Sequence, residues 1–477
     1  MTERGTSAKP STAERPTAQL VAERPTPGTP RPYEFPAFER HQLANGMNLL
    51  VVPMPGRPLI SASLVLRNGA ADEKPAEGGA TVLAARALPE GTESYNAIEL
   101  VEASERLGAA LHAEAGWDAT TAGVEVPAER LEPALELLAE LVRRPTFPTG
   151  EVDRLREERL NDLLQARADP RRRVEEAFAE TIFSGGSPYH RPSGGLPETV
   201  ETLTPDVLRR AYRRGINPPL MTLVVGGDLS GQDVPSIANR LFGEWLPLPG
   251  SAAPTPVEAT PADSERVIRL VHRPGSVQSE IRIGHVGLPR KVPDFHAVSV
   301  MSTILGGLFN SRLNMNLREE KGYAYGAHAG FDMRRAAGPF AARAAVNTEV
   351  TVPAIHEILR ELGRMRDEPV TAAELAAGRE FLVGVFPLRF ETPGPVVGTL
   401  SGVVIHELPD DELSRYRPAI DAVAVDDVQR VAREHIDVDR AAIVLVGDAD
   451  KIGSELEGAG LGSVEIVRDE NGNTRRG

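Results

Sequence analysis

Three segments in the first half of this chain recur in the second half, in the same order and at nearly constant separation. Glu129-Arg130-Leu131-Glu132-Pro133-Ala134-Leu135-Glu136-Leu137-Leu138 is similar to Glu349-Val350-Thr351-Val352-Pro353-Ala354-Ile355-His356-Glu357-Ile358. Pro205-Asp206-Val207-Leu208-Arg209-Arg210-Ala211 is similar to Asp426-Asp427-Val428-Gln429-Arg430-Val431-Ala432, and Leu223-Val224-Val225-Gly226-Gly227-Asp228 to Val444-Leu445-Val446-Gly447-Asp448. A repeat this long points to a duplicated domain and not to a solenoid, whose period is far shorter. At 477 residues the chain is also too long for one ordinary core. A Pro/Ala/Thr stretch from Pro249 through Pro261 lies between the two copies and reads as a linker.

Each copy mixes strand and helix signals. Met47–Val52 and Ile60–Leu66 read as strands, the second with apolar residues at alternate positions, and Asn68-Gly69 is a turn signal just past its end. Leu131, Leu135, Leu138 and Val142 share one helical face, and Pro145 stops that helix. Residues 152–165 read as another helix with a charged outer face. The expected fold is α+β: two duplicated domains, each an antiparallel sheet with helices packed on one face. The expected boundaries are 36–248 and 265–470, joined by a linker at 249–264, with tails at 1–35 and 471–477. The first tail is rich in Pro, Thr, Glu and Arg and has too little apolar surface to offset the entropy of ordering, so it reads as disordered.

The chain has no cysteine, which excludes disulfides, thiol catalysis and Cys-based zinc sites and fits a reducing cytoplasm. A net charge of −15 argues against a phosphate-binding surface, so no nucleic acid is expected as a partner. No apolar run approaches the ~20 residues that span a bilayer, and no basic segment followed by an apolar one marks a signal peptide.

The most specific local pattern is Leu317-Arg318-Glu319-Glu320-Lys321-Gly322-Tyr323-Ala324-Tyr325. Gly322 reads as the residue just past a helix end, so Arg318 would close a helix and Tyr325 would begin a strand. Alone, Arg318 reads as a surface helix arginine and Tyr325 as a half-buried strand residue. Upstream, Gly306 and Gly307 read equally as a turn with positive φ or as a substrate-contacting loop. No Gly-Lys-Ser/Thr follows them, so a phosphate loop is excluded.

Ordered matches along the chain resemble the pitrilysin/insulinase family of zinc peptidases, an inverzincin group that includes the mitochondrial processing peptidases and their bacterial relatives. They are Leu43-Ala44-Asn45-Gly46-Met47, Gly69-Ala70-Ala71-Asp72-Glu73, Glu90-Gly91-Thr92, Pro188-Tyr189-His190-Arg191-Pro192, Val225-Gly226-Gly227-Asp228, Leu305-Gly306-Gly307 and Ser311-Arg312-Leu313. The resemblance covers roughly residues 38–470. It implies that Arg318 and Tyr325 are the family's pair that reaches across to the zinc domain. In that role Arg318 holds the substrate backbone and Tyr325 polarises the scissile carbonyl, as preorganised donors to the oxyanion. Gly306 and Gly307 would contact substrate.

The other half of the family's active site is missing. Its His-x-x-Glu-His motif sets two imidazoles on one helical face and a general base between them. Counting back from Glu90-Gly91-Thr92, those positions hold Val82, Ala85 and Arg86. The family's two later glutamates fall near Leu155 and Asp162. Val82 and Ala85 cannot ligate a metal or act as a base, Arg86 repels a cation, and Asp162 reads as a solvated helix acid. No metal is therefore expected on this chain. The resemblance implies a heterodimer in which a homologous subunit carries the zinc and this chain contributes Arg318 and Tyr325 to the hydrolysis of a peptide. Two alternatives stay open: an inactive scaffold subunit, and a peptide-binding module that has lost hydrolysis.

Overall fold

The computed structural model describes residues 28, 32–251, 253–254, 256–262 and 265–468. The tail expected at 471–477, and nearly all of that at 1–35, lie outside the described residues. The described residues from Glu34 onward form one compact unit.

Two six-stranded sheets organise it. The first contains β1 (Glu39–Gln42), β2 (Asn48–Pro53), β3 (Leu59–Leu66), β4 (Ala110–Ala115), β5 (Thr120–Pro127) and β6 (Thr222–Gly227), in spatial order β1-β2-β6-β3-β5-β4. The second contains β7 (Val267–His272), β8 (Gln278–Val286), β9 (Ala324–Phe331), β10 (Pro339–Asn347), β11 (Ala442–Gly447) and β12 (Ser463–Val467), in order β12-β7-β11-β8-β10-β9. Five positions correspond one to one, and the repeated sequence segments fall on equivalent elements. Leu223–Gly227 is β6 where Val444–Gly447 lies in β11.

The sheets are not wholly antiparallel. β2 pairs with β6 in parallel, as β7 does with both β11 and β12, while the remaining pairs are antiparallel. A parallel pair needs a long crossover, and β6 and β11 each arrive only after a run of helices.

The main helices are α1 (Ala80–Ala87), α2 (Leu131–Arg143), α3 (Thr149–Ala168), α4 (Pro170–Ile182), α5 (Phe295–Ser302), α6 (Thr351–Asp367) and α7 (Pro393–Ile405). The apolar stripe of α2, Leu131, Leu135, Leu138 and Val142, packs with Ile60, Ala62, Leu64 and Leu66 of β3 in one core. Ile355, Ile358 and Leu362 of α6 pack with Ile281, Ile283, Ile443 and Leu445 in the second.

Each half thus packs its own helices on one face of its sheet, as the fold class implies. The opposite face is covered by a helix from the other half. Val174, Ala177, Phe178 and Ile182 of α4 pack on Val271, Ala341, Val444 and Val446 of the second sheet. In exchange, α7 lies on β3 and β6 of the first, burying Val396, Val397, Leu400 and Val403. A side chain added at Gly226 would come within 3.0 Å of Val397 Cγ2, so the helix sits directly on the strand backbone. This exchange explains why β6 and β11 are buried along their whole length and read as continuous apolar runs.

Polar contacts tie the halves further. Arg335, between β9 and β10, donates from its backbone N–H to Asp118 Oδ2 (2.8 Å) and from Nη2 to Asp72 Oδ1 (2.9 Å). The end of the linker is also held: Ser184 N donates to Thr260 O (3.0 Å) and Ala262 N to Ile182 O (2.9 Å). Within the first half, Glu73 is fully buried. It accepts from Arg191 Nη2 (2.7 Å) and from the Gly79 and Thr81 N–H groups (2.9 and 2.6 Å) at the start of α1.

Candidate functional site

Arg318 lies in a π-helical segment, Met315–Glu320, that continues a short helix started by the Ser311 cap. Gly322, at φ +65°, adopts the left-handed conformation expected just past a helix end. Tyr323 N then bonds back to Leu317 O (2.7 Å), and β9 begins at Ala324. Tyr323 is half-buried against the second core.

Tyr325 owes its direction to a bulge. β9 pairs Ala327 with Ala344 and Ala324 with Val346, so β9 has one residue more than β10 over this stretch. Strand alternation from Ala327 would turn Tyr325 inward; the extra residue turns it outward. Tyr325 is 93% exposed, while Ala324, Ala327 and Ala329 are buried. Among the described residues nothing hydrogen-bonds its hydroxyl.

The Arg318 guanidinium lies 4.1 Å over the Phe309 ring and 5.6 Å over the Tyr325 ring, with Glu319 Oε1 at 3.3 Å from Nε. Cation–π contact of this kind holds an arginine without consuming its N–H donors. Phe309, itself 68% exposed, is the member of the cluster that sequence reasoning missed. Its only sequence signal is a large aromatic side chain in the loop between Gly307 and Ser311.

Gly306 and Gly307 end a π-helical turn, Thr303–Gly307, and neither has positive φ. The turn reading is therefore corrected: Gly306 is required by close approach. A Cβ there would lie 2.2 Å from Ala329 N on β9, and its carbonyl meets His328 Nδ1 at 2.8 Å. Gly306 is buried and Gly307 exposed.

The positions expected to match the family's zinc motif lie on α1. Ala85 is buried, Val82 half-buried, and Arg86 is exposed with Glu158 Oε2 3.3 Å away. Leu155 is packed in the first core. Asp162 is clamped by Arg172 at 2.8 and 3.1 Å and by Arg159 at 2.5 Å. The Arg172 hydrogen bond holds the Asp162 carboxyl below the usual range. Arg154 bridges Glu90, Glu151 and Glu158 at 2.8, 2.8 and 2.6 Å. Guanidinium groups engage these acids and no imidazole is present among these residues, so the donor set does not fit zinc. Two His/acid groups elsewhere in the second half are also engaged by arginines: Asp450 by Arg468 and Asp294 by Arg430, both at 2.7 Å.

The purified chain is therefore expected to retain no stoichiometric zinc after dialysis and to cleave no peptide by itself. One tightly bound zinc per chain in metal analysis, with chelator-sensitive hydrolysis, would contradict this. Restoring His at Val82, Glu at Ala85 and His at Arg86 is expected to leave the chain inefficient, because Leu155 is an apolar core residue that cannot orient a ligand and Asp162 is held by Arg159 and Arg172. Efficient zinc-dependent cleavage by that triple variant would overturn the expectation.

Residues 53–191 match the family described as Insulinase (Peptidase family M16), and residues 202–382 match the Peptidase M16 inactive domain. The chain is 25% identical over 434 residues to an uncharacterized zinc protease of Streptomyces coelicolor, covering 88% of this chain and 92% of that one. It is 23% identical over 404 residues to the non-peptidase homolog YmxG of Helicobacter pylori, covering 83% and 90%. Among solved structures, a peptidase M16 inactive domain from Pseudomonas fluorescens superimposes with a TM-score of 0.80 at 25% identity, over 86% of this chain and 98% of that one. No helix among the described residues is long and apolar enough to cross a membrane. With both halves matched in order and the two-sheet architecture shared, the chain belongs to the M16 (insulinase) peptidase family.

Proposed function

We propose that this chain is the zinc-free subunit of a cytoplasmic two-chain peptidase. A homologous subunit with an intact His-x-x-Glu-His motif binds the zinc and the peptide. This chain supplies Arg318 to the substrate backbone and Tyr325 to the oxyanion.

The observation that carries the reading is the orientation of Tyr325. An exposed tyrosine with a free hydroxyl, turned outward by a bulge and set beside a stacked arginine, gains nothing for the fold. It suits a ligand outside the chain. A tetrahedral intermediate places negative charge on oxygen, and these two side chains are donors held ready for it.

A scaffold role is the second reading, and the name non-peptidase homolog given to the Helicobacter pylori relative favours it. Co-purification from the native source separates the two. The first reading expects a zinc-bearing homologous chain in the complex, zinc on that chain alone, and peptide cleavage only by the pair. A stable complex whose partner cleaves equally well without this chain would leave it a scaffold.

A further inference from the structure

The side chains around Arg318 and Tyr325 come from three separate pieces of backbone. Phe309 sits on the loop after the Thr303–Gly307 turn, Arg318 on the π-helical segment, and Tyr325 on the β9 bulge. One buried side chain links all three. Asn314, at the start of the helical segment, accepts the Ala327 N–H at Oδ1 (2.8 Å) and donates from Nδ2 to Leu308 O (3.0 Å). Ser311 Oγ, itself buried, takes a further contact from Nδ2 at 3.2 Å. The two partners dictate the amide orientation, since the N–H requires an acceptor and the carbonyl a donor. Ala327 closes the bulge that turns Tyr325 outward, and Leu308 is the residue before Phe309.

We infer that Asn314 is the positioning residue of this site, setting Tyr325 and the Phe309-held Arg318 in one register through its two amide bonds. The inference rests on the reading of Arg318 and Tyr325 as substrate-facing groups. Asn316 does a different job two residues on: its Nδ2 bonds Glu357 (2.8 Å) and Glu361 (2.7 Å), anchoring the helical segment to α6. Among the described residues, Asn314 is the side chain of this segment that hydrogen-bonds to both neighbours.

The test uses the full chain assembled with the zinc-bearing subunit and a short internally quenched peptide. Asn314→Ala is expected to lower kcat by roughly 10²-fold, the scale of a small misplacement of reacting groups, with a smaller rise in KM from the displaced Arg318. Asn314→Asp keeps the acceptor for Ala327 but loses the donor to Leu308, and is expected to lose distinctly less. Adding Asn314→Ala to Tyr325→Phe should cost clearly less than the two single losses combined, because the part that acts through the Tyr325 hydroxyl is already gone; a general loss of stability would add in full. In hydrogen exchange on the chain alone, Asn314→Ala should expose the Ala327 amide and Asn314→Asp should leave it protected.

Wild-type kcat for Asn314→Ala alongside a crippled Tyr325→Phe overturns this inference and leaves the proposed function standing. The same holds if Asn314→Asp is as damaged as Asn314→Ala with its Ala327 amide still protected. If Tyr325→Phe and Arg318→Ala both cleave at the wild-type rate, the proposed function fails and the inference with it.

Discussion

Tyr325→Phe, assayed in the assembled complex, is expected to lower kcat by roughly 10²–10³-fold while KM moves little. The hydroxyl is solvent-facing in the free chain, so its removal leaves no buried group unpaired and the fold should be unaffected. Its effect falls on the transition state, where charge develops on the carbonyl oxygen. Arg318→Ala should damage both parameters, because the guanidinium also holds substrate in the ground state. Tyr323→Phe is the control: that residue packs against the second core, and its change should be nearly silent. Zinc content of the partner should stay constant throughout, since neither residue is a ligand. Wild-type cleavage by both Tyr325→Phe and Arg318→Ala would make the pair ornamental and the chain a scaffold.

Arg191→Ala should cost about 3–5 kcal/mol in urea unfolding, the usual result of leaving a buried charge without its partner. Glu73 has no exposed side-chain surface and Arg191 very little. Burial pushes the Glu73 carboxyl up, and Arg191 is the largest opposing pull. Removing Arg191 therefore raises the folded-state value further above the unfolded one. The folded state then binds the more protons, so the variant's deficit should shrink as pH falls through the folded value and widen above it. By contrast, Arg240→Ala, which breaks half-exposed pairs with Glu132 and Glu136, should stay within about 1 kcal/mol of wild type. An equal loss for Arg191 and Arg240 would remove the argument from burial.

Much of the architecture was legible because it is written twice. The repeated segments at Glu129 and Glu349 each start inside a 3₁₀ turn that leads into a long helix, and the repeats ending at Asp228 and Asp448 are central strands. Strand direction was not legible: Leu223–Gly227 is apolar on both faces whether it runs parallel or antiparallel to β2. The covering helices were hidden for a related reason. Val174, Ala177, Phe178 and Ile182 form an ordinary amphipathic stripe on α4, and nothing local states that the stripe belongs to the second sheet. At the site, Gly322 and the boundaries around Arg318 and Tyr325 could be read from helix-end chemistry. The bulge at Tyr325 could not, since it depends on the register against Ala344 and Val346. Phe309 and Asn314 escaped notice because their importance lies in contacts across three chain segments.

The exchange of α4 and α7 also has a bearing on how the chain is made. Residues 34–248 leave the ribosome with β2, β6 and β3 able to pair. Yet the outer face of that sheet must wait for Val396, Val397, Leu400 and Val403, which are translated far later. Until then an apolar sheet face stands bare, the condition in which nascent chains aggregate or recruit chaperones. Completing the fold requires contacts of very long sequence separation, which are slow to form. A ribosome stalled between the end of β6 and the start of α7, residues 227 to 393, therefore holds a first sheet with one face still bare, and release of the early domain alone would yield a sticky fragment in place of a smaller working protein.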